Sequence, residues 1–214
     1  MELINLARPY MELIYFVSGV MLVVAAIIAL KQLSIAKKTL KIQSKRDALK
    51  LTATECSRYF EKIIPLQNEL DRKIEENEIK FFKGWEVKLD GNKLELRKKT
   101  KGDIEDFEKM KKITSLTEVC NSLEGFATYF NSGVADEYVA FNTVGTTFVN
   151  YVDNIIPWVI HCRDEGYYKN LVSLYVTWKN RSEASLLRQK KEKLEERLSK
   201  IGDKKTFTIG VDET

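Results

Sequence analysis

Few side chains in this chain have the types and spacing for covalent or acid–base chemistry. Its one histidine, His161, stands beside Cys162. An imidazole that reaches a thiol can make it a nucleophile. Neighbouring helix residues point about 100° apart, so His161 and Cys162 form no dyad with each other. A partner for His161 would be Cys56 or Cys120, brought near only by the tertiary fold. The expected state is a partly buried helix residue beside a small core thiol. The cysteines at 56, 120 and 162 lack metal-ligand spacing. The carboxylate pairs Glu75-Glu76 and Glu195-Glu196 sit in charge-rich stretches and read as solvated faces. Neither Gly-x4-Gly-Lys-Ser/Thr nor Gly-x-Gly-x2-Gly occurs, so the usual phosphate cradles are missing. There is no Gly-x-Ser-x-Gly elbow. These readings assign no catalytic residue, no metal site and no cofactor. One polar pair remains. Asn121 and Glu124 share a helix face at i, i+3, where they are expected to cap or tie a neighbouring helix rather than bind a ligand.

The elements that carry these residues follow from composition and periodicity. The chain has 214 residues, 44% hydrophobic and 31% charged, with a net charge of +4. That length suits one domain, or one domain with an appendage. Only 3 Pro and 10 Gly exclude collagen-like and linker-like classes. Three widely spaced cysteines exclude a disulfide scaffold and fit a reducing compartment.

The sharpest feature is the run LIYFVSGVMLVVAAIIAL from Leu13 to Leu30. It carries no charge, and as a helix it spans about 27 Å, close to a hydrocarbon core. A core helix and a cleaved signal peptide are the alternatives. The flank before it holds Glu2, Arg8 and Glu12 rather than a basic n-region. The apolar run also continues past Val24-Ala25-Ala26, the one plausible cleavage site. After it come Lys31, Lys37, Lys38, Lys41, Lys45, Arg46 and Lys50, against the single acid Asp47. This asymmetry predicts a cytoplasmic C-terminal side and an N-terminus outside. Anionic head groups attract such a cluster by about 1 kcal/mol per residue. Lipid therefore explains the basic residues, and no nucleic-acid partner is expected. Ala25 and Ala29 form a small-x3-small spacing able to pack helices in a membrane, or else face lipid.

Beyond the membrane the pattern is mainly helical. Ile35, Ile42, Leu49, Cys56 and Ile63 recur every seven residues, with Thr39, Arg46, Ala53 and Phe60 four later, an a/d-like, coiled-coil stripe. Pro65 should kink or interrupt that helix. A polar helical stretch follows over 66–77. Trp85, Val87 and Leu89 alternate, as do Leu94 and Leu96, around Asp90-Gly91, which predicts a hairpin. Asp103 is expected to cap a helix, and Ser115 with Glu118 has capping-box spacing ahead of the next. That next helix has an apolar face of Leu116, Val119, Leu123, Phe126 and Phe130, ended by Asn131-Ser132-Gly133. A further helix begins near Asp136 and should bend at Pro157. The last, possible to break near Asn180, runs from about Tyr168 to Ile201 and ends at Gly202. Its inward residues are Tyr168, Leu171, Leu174, Tyr175 and Trp178, and its charged end carries Leu187, Leu194, Leu198 and Ile201 on one face. Thr206–Val211 could add an edge strand.

The expected fold is mainly α. It has a single N-terminal transmembrane helix, a helical stalk and an antiparallel helical bundle with a small β-hairpin. Residues 1–12 form a short non-cytoplasmic N-terminus, 13–30 the transmembrane helix and 31–48 the basic juxtamembrane stalk. Residues 49–202 form the cytoplasmic domain, with the hairpin at about 84–97, and 203–214 a tail.

Asn121-Ser-Leu-Glu124 is followed by Ala127, Asn131-Ser-Gly133 and Asp136-Glu137. With the upstream membrane helix and basic stalk, this resembles a family of uncharacterised bacterial proteins with an N-terminal anchor and a cytoplasmic helical domain. The resemblance covers residues 13–60 and 115–165 and leaves out 81–101. It implies architecture and location, and no activity.

The leading expectation is a cell-membrane protein, in the inner membrane of a Gram-negative cell, with a non-catalytic interaction domain. Its partners would be the lipid bilayer and a protein, or a second copy. The alternative is a self-associating membrane effector of the stress or phage-defence type. A third is an enzyme with an acidic metal site.

Overall fold

The computed structural model describes residues 2–91, 93–98, 109, 113–163 and 166–201. The chain divides into two compact units, Met1–Lys50 and Leu51–Thr214.

The first unit is the leading part of helix α1 (Glu2–Arg58). Every described side chain from Arg8 to Asp47 is exposed. This is a helix long and apolar enough to cross a membrane, and none of its most apolar stretch is buried. A core helix would bury such a stretch, whereas this one is exposed within its own unit. The polar groups inside it are satisfied locally: the Ser18 hydroxyl donates to the Tyr15 carbonyl at 2.8 Å. Arg8 and Glu12 pair at 3.0 Å just before it.

The second unit holds the core. The end of α1 turns into a π-turn at Tyr59–Ile63 and continues as α2 (Ile64–Glu76), with Pro65 in its first turn. Proline lacks an N–H and crowds the carbonyl four residues back, and the widened turn lies directly before it. A 3-10 turn at Phe81–Gly84 leads to β1 (Trp85–Asp90) and β2 (Lys93–Lys98). The strands are antiparallel, with Val87 opposite Leu96 and Leu89 opposite Leu94. Gly91 has φ +57°, the left-handed conformation that the Asp-Gly turn requires. Helices α3 (Thr114–Asn131), α4 (Glu137–Arg163) and α5 (Lys169–Ile201) complete the unit.

The predicted apolar face of α3 and the predicted inward residues of α5 are buried, and α4 buries Val144, Phe148, Val152, Ile155 and Val159 while leaving Phe141 half-buried. Trp178 is fully buried among rings, 4.9 Å from Phe148 and 6.2 Å from Phe126. The hairpin rests on this core through Val87 and Leu94, and the Asn180 amide donates to the Gly91 carbonyl at 2.9 Å.

Three expectations are corrected. The second line of the α1 stripe is not Ala53 and Phe60, which are exposed, but Thr52 and Tyr59. With Cys56, Ile63, Gln67 and Leu70 they follow the 3.6-residue period of a single packed helix. Ser115 is no cap. The cap position lies two residues earlier, at Ile113, with the helix starting at Thr114, and among the described residues the buried Ser115 hydroxyl has no hydrogen-bond partner. Helix α5 runs unbroken through Asn180. The expected Asp103 cap, Gly202 and the Thr206–Val211 strand lie outside the described residues.

Candidate functional site

The half-buried polar groups of the second unit converge where α5 meets α3, α4 and the hairpin. Tyr175 and Lys179 lie one turn apart on α5, so one carboxylate can reach both. Asp153 of α4 does so, accepting from the Tyr175 hydroxyl and, at 2.5 Å, from the Lys179 ammonium. Burial, then the bond to Asp153, pushes the Tyr175 phenol well above its ordinary value. It stays protonated at neutral pH and serves as a donor. Lys179 is neutralised by the same carboxylate. Trp85, Glu86 and Leu89 of β1, with Glu183 of α5, close these groups into a hollow of about 260 Å³.

A second network joins the same helices. Glu137, the first residue of α4, accepts from Trp178 Nε1 and takes both arms of the Arg181 guanidinium, at 2.8 and 2.9 Å. The fork matches the carboxylate, which gives direction as well as attraction. Arg181 also stands 4.8 Å over the Phe141 ring.

The third network begins α5. The first N–H groups of a helix have no partner within it and carry the positive end of its dipole. Glu124 of α3 supplies the partner. Its carboxylate accepts from Asn170 N at 3.1 Å, Asn170 Nδ2 at 3.0 Å and Leu171 N at 2.7 Å. Asn131 Nδ2 donates to the Asn170 carbonyl at 2.8 Å. Helix α4 is tied similarly: Asp136 N donates to the buried Thr52 hydroxyl at 2.7 Å, and Asp136 Oδ1 caps Val139 N at 3.0 Å.

The residues singled out from sequence are distributed as follows. Lys31, Lys37, Lys38, Lys41, Lys45, Arg46 and Lys50 are exposed on α1, as are Ala25 and Ala29 one turn apart. Glu124 faces the start of α5, whereas Asn121 is exposed. His161 is exposed, its ring 6.2 Å from Trp158, and Cys162 is half-buried. None of the three cysteines is in a disulfide. Burial raises the Cys120 thiol, with Cys162 adding to it, and burial followed by Glu55 raises the Cys56 thiol. Both are held away from the reactive thiolate. Glu76 pairs with Arg72 at 2.6 Å and Glu196 with Lys200 at 2.5 Å. Among the described residues, no group of three His, Cys, Asp or Glu is placed to hold a metal.

Asp153, Lys179, Glu137 and Arg181 escape a reading of sequence alone. Their partners lie 22 to 44 residues away on other helices. The only local signal is the i, i+4 spacing of Tyr175 and Lys179.

No curated protein and no solved structure matches the chain. Residues 19–178, reaching from the apolar part of α1 through the hairpin to Trp178, match the family model described as Domain of unknown function (DUF4760), and the chain belongs to that family.

Proposed function

We propose that this is a single-pass membrane protein whose second unit is a cytoplasmic, non-catalytic interaction domain. One observation carries the reading: Leu13–Leu30 is an unbroken apolar helix with no buried residue in its core stretch. Apolar surface on all sides of a helix is stable in hydrocarbon and costly in water. The basic residues from Lys31 to Lys50 orient it with the second unit in the cytoplasm. Interaction rather than turnover is favoured by how the polar groups are used. Asp153, Glu137 and Glu124 each satisfy donors on α5, and Tyr175 and Lys179 answer to Asp153. A tether then raises the local concentration of this domain near membrane partners.

The test is fractionation of cells expressing the full chain, followed by protease treatment of spheroplasts. The expected result is a full-length protein that resists carbonate extraction and whose second unit is protected. Recovery of a soluble chain starting near Ile27 would show a cleaved signal and end the proposal.

A further inference from the structure

Helix α5 outlasts the core it serves. Its last fully buried residue is Trp178 and its last half-buried one Ser182, yet the helix continues to Ile201, and every described residue from Glu183 onward is exposed. Most helical stability in proteins comes from packing one face, and this extension keeps its apolar face in the open, with the Lys191–Glu195 and Glu196–Lys200 pairs along it. Leu187, Leu194, Leu198 and Ile201 are 64%, 64%, 75% and 78% exposed. They are not scattered. With Ala184 and Lys191 they fill alternating a and d positions of a heptad: Ala184, Lys191 and Leu198 at a, and Leu187, Leu194 and Ile201 at d.

We propose that this tail pairs with the tail of a second copy of the chain as a parallel two-stranded coiled coil. Charge names the partner and its direction. In a parallel pair, each g residue meets the e residue of the following heptad on the other strand. Here Glu183 at g meets Arg188 at e, and Lys190 at g meets Glu195 at e, so both kinds of contact join opposite signs. Lys191 at a single a position favours two strands and one register at some cost in stability. A helix lying on a bilayer instead would have a polar face dominated by Lys and Arg. This tail intersperses Glu183, Glu192, Glu195 and Glu196 among its basic residues. The inference uses residues of the second unit alone, so it stands or falls separately from membrane insertion.

The test is disulfide trapping of the full-length protein under mild oxidation, with Leu187→Cys, Ile201→Cys and, as an outward-facing control, Gln189→Cys. The expected result is a covalent dimer from each of the first two variants by itself, and none above the native chain from the third. If neither forms a dimer alone, or dimers form only when the two are mixed, parallel pairing is overturned. Sedimentation of the uncrosslinked chain gives an independent reading. Lys190→Glu turns two attractive contacts repulsive, which should weaken the dimer about tenfold. The swap Lys190→Glu with Glu195→Lys should restore it. An unchanged dimer in the single variant would also overturn the proposal.

Discussion

Leu22 and Leu123 have the same side chain on the same kind of helix, yet one is 72% exposed and the other fully buried. The first belongs to a unit that encloses nothing. The second belongs to a unit in which helices and a hairpin remove each other from water. The difference teaches that helical apolar residues need an apolar medium, and that this chain meets the need twice. Between Cys56 and Trp178 the protein's own core supplies the medium. In Leu13–Leu30 something outside the chain must supply it.

Changes that separate the two units test this contrast. Trp178→Ala should have the largest effect. It empties the space between Phe126, Phe141 and Phe148 and strips Glu137 of a donor, at a cost of about 4 kcal/mol. Denaturant unfolding of the full chain in detergent should show the loss, with membrane retention unchanged. Val23→Arg should do the reverse. A charge at the centre of a spanning helix costs about 3 kcal/mol, so carbonate-resistant material should fall while the unfolding midpoint holds. If Val23→Arg unfolds the second unit, the two regions are not independent.

Much of the core was legible because its spacing is local. The 3, 4, 3, 4 pattern from Leu116 to Phe130 requires one buried face whatever packs on it. The Asp90-Gly91 turn similarly names its own hairpin. The ties between helices were not legible. Glu124 could be seen as a residue that caps something, but nothing near it says that its target is Asn170, 46 residues on. Thr52 and Tyr59 do not stand out in the sequence because a seven-residue count drifts from the true helical period, and because a buried threonine matters through its bond to Asp136 rather than through hydrophobicity.

Glu124→Ala should rank third. It removes three charge-assisted bonds from the start of α5 and should cost about 2 kcal/mol. Amide hydrogen exchange should rise first at Asn170 and Leu171, and exchange in α1 should not change.

A further effect is confined to alkaline pH. Burial pushes Tyr59 up to about 12, the Gln67 contact working against it, and burial pushes Tyr168 up to about 12 as well. An unfolded tyrosine ionises near 10. The folded chain therefore holds protons that the unfolded chain has lost, and stability falls as pH rises from about 10 to 12. Below 10 the contribution is complete. Tyr59→Phe should flatten that fall, read as the denaturation midpoint against pH. A midpoint equally steep in the variant would place the alkaline sensitivity elsewhere.

The carboxylate of Glu124 also has a consequence for the order of events at the ribosome. A helix must fix its first turn before elongation becomes favourable, and that turn is the costly step. For α5 the acceptor of its opening N–H groups lies on α3, which leaves the exit tunnel earlier. Helix α5 thus emerges onto a waiting template, and its nucleation draws on a segment already made.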